Sequence, residues 1–156
     1  MEAESVMLVK NIMKSDVKTC TADASVGAAA RVMARHHCGI VPIVDADQKL
    51  LGVVTDRDIC LAVGTRIRYP DELPVAEVMT TKLYTCSPDD DAQKALTVMT
   101  DHAVRRLPVT TPNGRLVGII SIDDLLLRAG SHRGAAVSDQ AVIESLKAMA
   151  ARAVAA

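Results

Sequence analysis

Two short patterns in the sequence place a carboxylate one helical turn after a hydroxyl. Thr55 precedes Asp58 by three residues, and Ser121 precedes Asp124 by the same spacing. A Ser or Thr at a helix N-cap with an acid three positions on approximates a capping box, a device worth about 1 kcal/mol. The same groups could hold a nucleotide, because a hydroxyl and free N–H groups donate to phosphate while a carboxylate accepts both hydrogens of a ribose diol. The spacing alone favours capping, and the nucleotide site is the alternative.

Both patterns belong to an internal repeat. Sliding the chain against itself by 66 positions aligns residues 9–64 with 75–130 without a gap, so that Pro42 meets Pro108 and Gly52 meets Gly118. Two copies are too few for a solenoid, which needs three or more units to bury a continuous core. The sequence therefore predicts two copies packed face to face about a pseudo-twofold axis.

Each copy has the hydrophobic pattern of an α/β unit in the order β-α-β-β-α. The elements predicted for the first copy are Val17–Thr21, a helix capped by Asp23 or Ser25, Ile40–Val44, Leu50–Val54 and Asp56–Val63. Those predicted for the second are Leu83–Cys86, Ala92–Ala103, Leu107–Thr110, Leu116–Ile120 and Ile122–Ala129. The predicted domains are repeat 1 at 6–65, a linker at 66–74, repeat 2 at 75–130 and an amphipathic helix at 138–156.

The composition excludes several classes of partner. Eighteen Lys and Arg stand against 19 Asp and Glu, a formal net charge of −1, so the chain has no excess positive charge for nucleic acid or an acidic membrane. Aromatic residues make up 1%, which argues against base-stacking platforms. No apolar run approaches the ~20 residues of a membrane span, and the acidic start does not resemble a secretory signal, so we expect a cytoplasmic protein.

Cysteine and histidine give no convincing metal or disulfide pattern. The four cysteines include no C-x-x-C pair, although Cys20 and Cys86 match across the copies and could meet at a pseudo-twofold axis in a redox role. His36, His37 and Cys38 are adjacent, but neighbouring helical residues point in different directions and zinc needs three or four converging ligands. We therefore assign no metal site.

The two copies together resemble a tandem CBS-domain protein, the module named after cystathionine β-synthase. The resemblance rests on the apolar-Pro strands Ile40–Val44 and Arg106–Val109, the Leu-x-Gly strands from Leu50 and Leu116, and the terminal [ST]-x-x-D patterns. It covers roughly residues 6–130. The stretches Val54–Ile59 and His102–Val109 are similar to small stand-alone bacterial members, including the hypoxic-response type.

This resemblance implies two symmetry-related clefts that hold adenosine-containing ligands such as AMP, ATP, NAD or S-adenosylmethionine, with AMP or ATP favoured. It gives the first cleft Thr55, Asp58, Gly39 and Ile40, with Leu83 and Tyr84 reaching across from the other copy. It gives the second cleft Ser121, Asp124, Arg105 and Arg106, with Val17 and Lys18 crossing over.

The two clefts differ in charge at matched positions. Arg105 and Arg106 correspond to Gly39 and Ile40, and a guanidinium pair matches phosphate oxygens where an apolar pair cannot. We expect the second cleft to be the better phosphate site. The leading hypothesis is a non-catalytic, homodimeric regulatory module that signals to an unknown protein and needs no cofactor; the alternative is a ligand-free interaction or stress-response scaffold.

Overall fold

The computed structural model describes residues 6–130 and 135–155 and has the mixed α/β architecture that the sequence predicts. Its helices are α1 (Val26–His36), α2 (Asp56–Thr65), α3 (Ala92–His102), α4 (Ile122–Leu126) and α5 (Asp139–Ala155). Its strands are β1 (Ile40–Val44), β2 (Leu50–Thr55), β3 (Arg106–Thr110) and β4 (Leu116–Ser121), paired as β1–β2 and β3–β4. None of the helices within these residues is long and apolar enough to cross a membrane.

The chain forms two units, each described here by itself. The first unit comprises Asp16–Leu83 and Asn113–Leu116, and contains the body of the first repeat. The second unit comprises residues 6–15, 84–112, 117–130 and 135–155, and contains the body of the second repeat. Each unit thus takes in the segment that opens the other repeat.

In the first unit, α1 is N-capped by Ser25, whose Oγ accepts a hydrogen bond from the Ala28 amide at 3.0 Å. Strands β1 and β2 are antiparallel, with Ile40 opposite Thr55. The apolar face of α1 packs over this hairpin, because Val, Ala and Met side chains recur there at helical spacing. The resulting core contains Ala29, Met33, Val41, Ile43, Val54 and Val75.

The glycine of each Leu-x-Gly strand permits close approach of the segment that opens the other repeat. In the first unit, the Thr80 and Val53 amides and carbonyls exchange hydrogen bonds of 2.8 and 3.0 Å. A Cβ at Gly52 would lie 2.9 Å from the Thr80 carbonyl oxygen. In the second unit, Lys14 pairs with Ile119 in the same way, and a Cβ at Gly118 would lie 3.0 Å from the Lys14 carbonyl oxygen. Both glycines are therefore required by a neighbouring backbone.

The second unit has a larger core because α5 packs on both α3 and α4. Val142 and Met149 on α5 are buried with Leu125 of α4. The apolar face of the predicted amphipathic helix is therefore buried within its own unit. The Arg152 guanidinium donates to the carbonyl oxygens of Thr100 and Asp101, at the C-terminal end of α3. The Thr100 carbonyl also accepts from the Ala103 amide at 3.3 Å, so Arg152 adds a donor at a helix end, where carbonyls lack their usual partner one turn on.

Two sequence predictions of local structure were wrong. The expected strands at Val17–Thr21 and Leu83–Cys86 are reduced to single bridges, Cys20 with Ile43 and Cys86 with Val109. The expected helix at Ile122–Ala129 ends at Leu126. It ends there because the chain folds back, with the Ala136 amide donating to the Arg128 carbonyl and the Gly130 amide to the Val137 carbonyl.

Candidate functional site

Both [ST]-x-x-D patterns form complete capping boxes. The Asp58 Oδ2 accepts hydrogen bonds from the Thr55 amide and hydroxyl, both at 2.8 Å, and the Thr55 Oγ1 accepts from the Asp58 amide at 3.2 Å. In the second unit, the Asp124 Oδ2 accepts from the Ser121 amide at 2.8 Å and hydroxyl at 2.6 Å. The favoured structural interpretation is confirmed at both positions.

The capping hydrogen bonds occupy only part of the acceptor positions of each carboxylate. These bonds all go to Oδ2, and an ionised carboxylate offers about four acceptor positions over its two oxygens. The Oδ1 of Asp124 lies 3.7 Å from the Lys14 Nζ. Asp124 is 6% exposed, whereas Asp58 is half-buried. The capping box therefore fixes the side-chain rotamer and leaves Oδ1 as an acceptor, so capping and ligand binding are compatible.

The residues that open β1 and β3 set different surroundings for the two patterns. Gly39 accepts a hydrogen bond from the Asp56 amide, and the Asp56 Oδ2 would lie 3.0 Å from a Cβ placed on Gly39. In the second unit, the carbonyl of Arg105 accepts from the Ile122 amide, and its guanidinium is 3.9 Å from the Asp123 carboxylate.

The next residues along these strands differ in the same way. Ile40 is half-buried and lies opposite Thr55 in the hairpin, whereas Arg106, which opens β3, is exposed. The first unit therefore has an aliphatic side chain, Ile40, where the second unit has the guanidinium of Arg106.

A cavity of about 230 Å³ lies beside Asp58 in the first unit. It follows one face of α2 and is lined by Asp58, Leu61, Ala62, Thr65, Arg66, Glu77 and Val78. The Arg66 guanidinium is 3.3 Å from the Glu77 carboxylate, so the cation of this cavity is already paired. The volume is below the ~300 Å³ of ordinary ligand pockets, which suits a fragment the size of a sugar.

Each of the four residues predicted to reach from one copy into the cleft of the other lies in one of the two units. Leu83 lies in the first unit with Thr55 and Asp58, and Val17 and Lys18 also lie there, with Lys18 paired to Asp16 at 2.8 Å. Tyr84 lies in the second unit. Its ring stacks on that of His102, with centroids 3.7 Å apart. A role for these four residues in either site stays a prediction.

Three site residues were missed by sequence reasoning. Lys14 approaches Asp124 across 110 positions of sequence, and Arg66 and Glu77 line the cavity beside Asp58. The repeat alignment shows that Lys14 replaces Thr80 of the other copy. Its proximity to Asp124, however, arises because the segment that opens the first repeat lies in the second unit. No local pattern signals that exchange.

The matched cysteines are free thiols in the two units. Burial raises the pKa of Cys20, and burial together with the Asp90 carboxylate raises the pKa of Cys86 to about 12. Both therefore stay protonated at neutral pH, which disfavours reactive thiolates. Among the described residues, no group of three or more His, Cys, Asp or Glu side chains could hold a metal ion.

Known proteins share this sequence and architecture. The chain is 35% identical to the CBS domain-containing protein YhcV of Bacillus subtilis over 127 residues, which cover 81% of this chain and 89% of YhcV. The solved structure of Hypoxic Response Protein I with two coordinated zinc ions has a TM-score of 0.69 and 32% identity, covering 80% of this chain and all of that one.

Two further solved structures contain adenosine compounds. The CBS domain pair of protein MJ0100, in complex with 5′-methylthioadenosine and S-adenosylmethionine, has a TM-score of 0.69 and 28% identity, covering 77% of this chain and 93% of that one. The cytosolic domain of the Mg²⁺ channel MgtE, in complex with ATP, has a TM-score of 0.64 and 28% identity, covering 74% of this chain and 46% of that one.

The family model of the CBS domain matches residues 9–64 and 75–130, the same two stretches that the internal repeat defines. The matched stretches make up most of the chain and end just after the two capping boxes. The chain therefore belongs to the CBS-domain family, as a tandem pair of CBS domains.

Proposed function

We propose that the chain is a non-catalytic regulatory module that binds an adenosine-containing ligand through Asp58 and Asp124 and thereby changes the state of a partner protein. AMP and ATP are the preferred ligands. The proposal places the protein in the cytoplasm, where these nucleotides act as metabolic signals. It assigns ribose to the two carboxylates and phosphate to Arg105 and Arg106.

The observation that carries this proposal is the fixed, buried carboxylate of Asp124. Its Oδ2 is held by two hydrogen bonds from Ser121, and its Oδ1 points toward a single cation at a distance longer than a hydrogen bond. A carboxylate held in one rotamer loses little side-chain entropy when it accepts a diol. It is therefore preorganised for a sugar.

Two similar proteins support the ligand class. The CBS pair of MJ0100 was crystallised with two adenosine compounds, and the MgtE cytosolic domain with ATP. Their alignments with this chain cover 77% and 74% of it. Adenosine is the portion that these ligands have in common, and its ribose diol is the chemistry that a fixed carboxylate recognises.

Isothermal titration of ligand-free protein with AMP, ATP, NAD and S-adenosylmethionine tests the proposal directly. We expect at least one to bind with micromolar affinity. Ligand at a hundredfold excess over Kd should then stabilise the fold by about 2.7 kcal/mol, visible as a thermal shift. Absence of binding by all four at millimolar concentration would refute the proposal.

The substitution Asp124→Ala tests the role of the carboxylate. We expect ligand binding to weaken by about 1.5–3 kcal/mol, the range for hydrogen bonds to a charged group. Asp101→Ala, an exposed carboxylate of the same unit, is the matched control and should leave affinity unchanged. Equal affinity of Asp124→Ala and the wild type would restrict Asp124 to helix capping.

A homodimer is the assembly that we propose for this module. Leu61 and Leu127 occupy matched repeat positions and are 52% and 81% exposed. Large apolar side chains exposed at the same place in both units suit burial against a second copy. Light scattering should give twice the chain mass, and Leu127→Asp should lower it to that of the monomer. A monomeric wild type would contradict the dimer.

These apolar residues also favour the second candidate function, a ligand-free interaction scaffold. Under that hypothesis the capping boxes are purely structural, and the exposed leucines contact a different protein. A flat ligand screen, together with a stable complex on pull-down that Leu127→Asp abolishes, would favour the scaffold.

A further inference from the structure

The two carboxylates lie in opposite charge environments. In the second unit, the Lys14 Nζ is 3.7 Å from Asp124, and the neighbouring Arg105 and Arg106 add two cations. Asp123 supplies an opposing carboxylate at the same end of the strands, 3.9 Å from Arg105. Cations therefore outnumber carboxylates around this site.

Matched positions of the first unit carry none of these three cations. Thr80, Gly39 and Ile40 of the first unit match Lys14, Arg105 and Arg106 of the second unit in the repeat alignment. Asp56, whose carboxylate lies over Gly39, replaces an isoleucine of the other unit. Arg57, which matches Asp123, changes the charge in the opposite direction.

Around the cavity beside Asp58, matched positions also carry more negative charge in the first unit than in the second. Glu77 lines the cavity beside Asp58, and it is paired with both Arg66 and Arg68. Its matched residue in the second unit is the neutral Asn11. The cavity-lining Ala62 is matched by Arg128, whose guanidinium is 3.4 Å from the Asp124 carbonyl oxygen. Arg66 and Arg68 together balance Glu77 and Asp58, so this side of the first site carries no net positive charge.

We infer that the two sites select adenosine compounds of different charge. The second unit takes a phosphorylated adenosine, and the first takes one without phosphate, either neutral or cationic beyond the ribose. Lys14 and Asp56 are the specificity-determining residues that the sequence did not identify. The inference rests on the proposed function, because it assumes that each carboxylate binds ribose, and it makes the chain a sensor of two ligands at once.

The physical basis is charge complementarity rather than the helix ends. Helix α4 has five residues, too few for its N-terminus to act as an anion site, so side-chain cations must supply the phosphate affinity. Bringing a phosphate toward Asp56 and Asp58 instead adds like-charge repulsion, and such repulsion excludes wrong partners.

Titration of two single-site variants measures the selectivity. Asp58→Ala leaves the second site, and we expect AMP to bind it at least about tenfold more tightly than adenosine. Asp124→Ala leaves the first site, where adenosine and S-adenosylmethionine should bind at least as tightly as AMP. The preference for AMP should weaken as salt rises, because the cations are exposed.

A reciprocal exchange keeps the inference testable if an Asp→Ala variant does not fold. Lys14 and Thr80 are both exposed, so Lys14→Thr and Thr80→Lys should leave the fold intact. We expect Lys14→Thr to reduce AMP affinity several-fold and leave adenosine affinity unchanged, and Thr80→Lys to raise AMP affinity at the first site.

The outcomes separate this inference from the function on which it rests. Failure of every adenosine compound to bind would overturn both. Binding with the same ligand order in the two single-site variants, or no effect of the exchange on AMP, would overturn the charge selectivity alone.

Discussion

The two units share one sequence pattern and differ in what covers the helix that follows it. In the second unit, α5 packs on α4, and Asp124 and Leu125 are buried. In the first, the described residues include no counterpart of α5, and the matched Asp58 and Ile59 are only half-buried. A repeated motif therefore does not fix the environment of its own carboxylate, because an element outside the repeat sets its burial.

Deleting residues 138–156 should have the largest effect on this contrast. The deletion exposes the surfaces that bury Val142 and Met149, and losing two or three such side chains costs about 4–8 kcal/mol. Calorimetry should show the second unit unfolding well below its wild-type temperature. Deleting only 153–156 should change little, because the described residues of that segment, 153–155, are exposed.

The same truncation separates the α5 contact from dimerisation. Because the apolar stripe of α5 packs within its own unit, light scattering should give the same number of copies before and after the deletion, provided the protein stays folded. A fall in that number would show that α5 contacts the second copy.

A matched pair of core substitutions should give the next largest difference. Leu125 is fully buried, so Leu125→Ala should cost about 2–5 kcal/mol of unfolding free energy. Ile59 is half-buried, and Ile59→Ala should cost clearly less because less apolar surface leaves water there. Urea denaturation of the two variants measures the difference, and equal losses would contradict the contrast between the units.

The two close-approach glycines give a smaller, sharper test. A Cβ at Gly118 would lie 2.6 Å from the Met13 Sδ, and one at Gly52 would lie 2.8 Å from the Met79 Sδ. Because overpacking of this kind costs about 1–3 kcal/mol, both alanine variants should lose similar stability. Only Gly118→Ala displaces the segment that bears Lys14, so titration should show a selective loss of AMP affinity in that variant.

The smallest expected effect concerns an exposed ion pair of the first unit. The Arg31 guanidinium, 2.8 Å away, holds the pKa of Asp71 below its usual value. A carboxyl whose pKa is lowered by folding stabilises the fold above its unfolded pKa and loses that contribution as pH falls through the folded value. Asp71→Asn should therefore be slightly less stable than wild type at pH 7, and the two should be equally stable at a pH low enough to protonate Asp71 in the folded protein. Urea melts at both pH values check this.

Sequence patterns predicted the elements whose signals are local. The run Ile40–Val44 and the cap at Ser25 lie where periodicity and hydrogen-bonding chemistry indicate. The end of α4 could not be predicted, because Leu-Leu-Leu-Arg-Ala favours a helix and is overridden by pairing of 128–130 with 136–137. For the same reason the capping boxes were predictable and the approach of Lys14 to Asp124 was not.

The exchanged opening segments have a consequence for the origin of such a chain. Residues 75–83 complete the first unit, and residues 6–15 complete the second. A chain with one repeat would lack the segment that completes its unit and would have to obtain it from a second molecule. Joining two repeats in one chain supplies both segments within the same molecule, so the two halves need not keep the same charge.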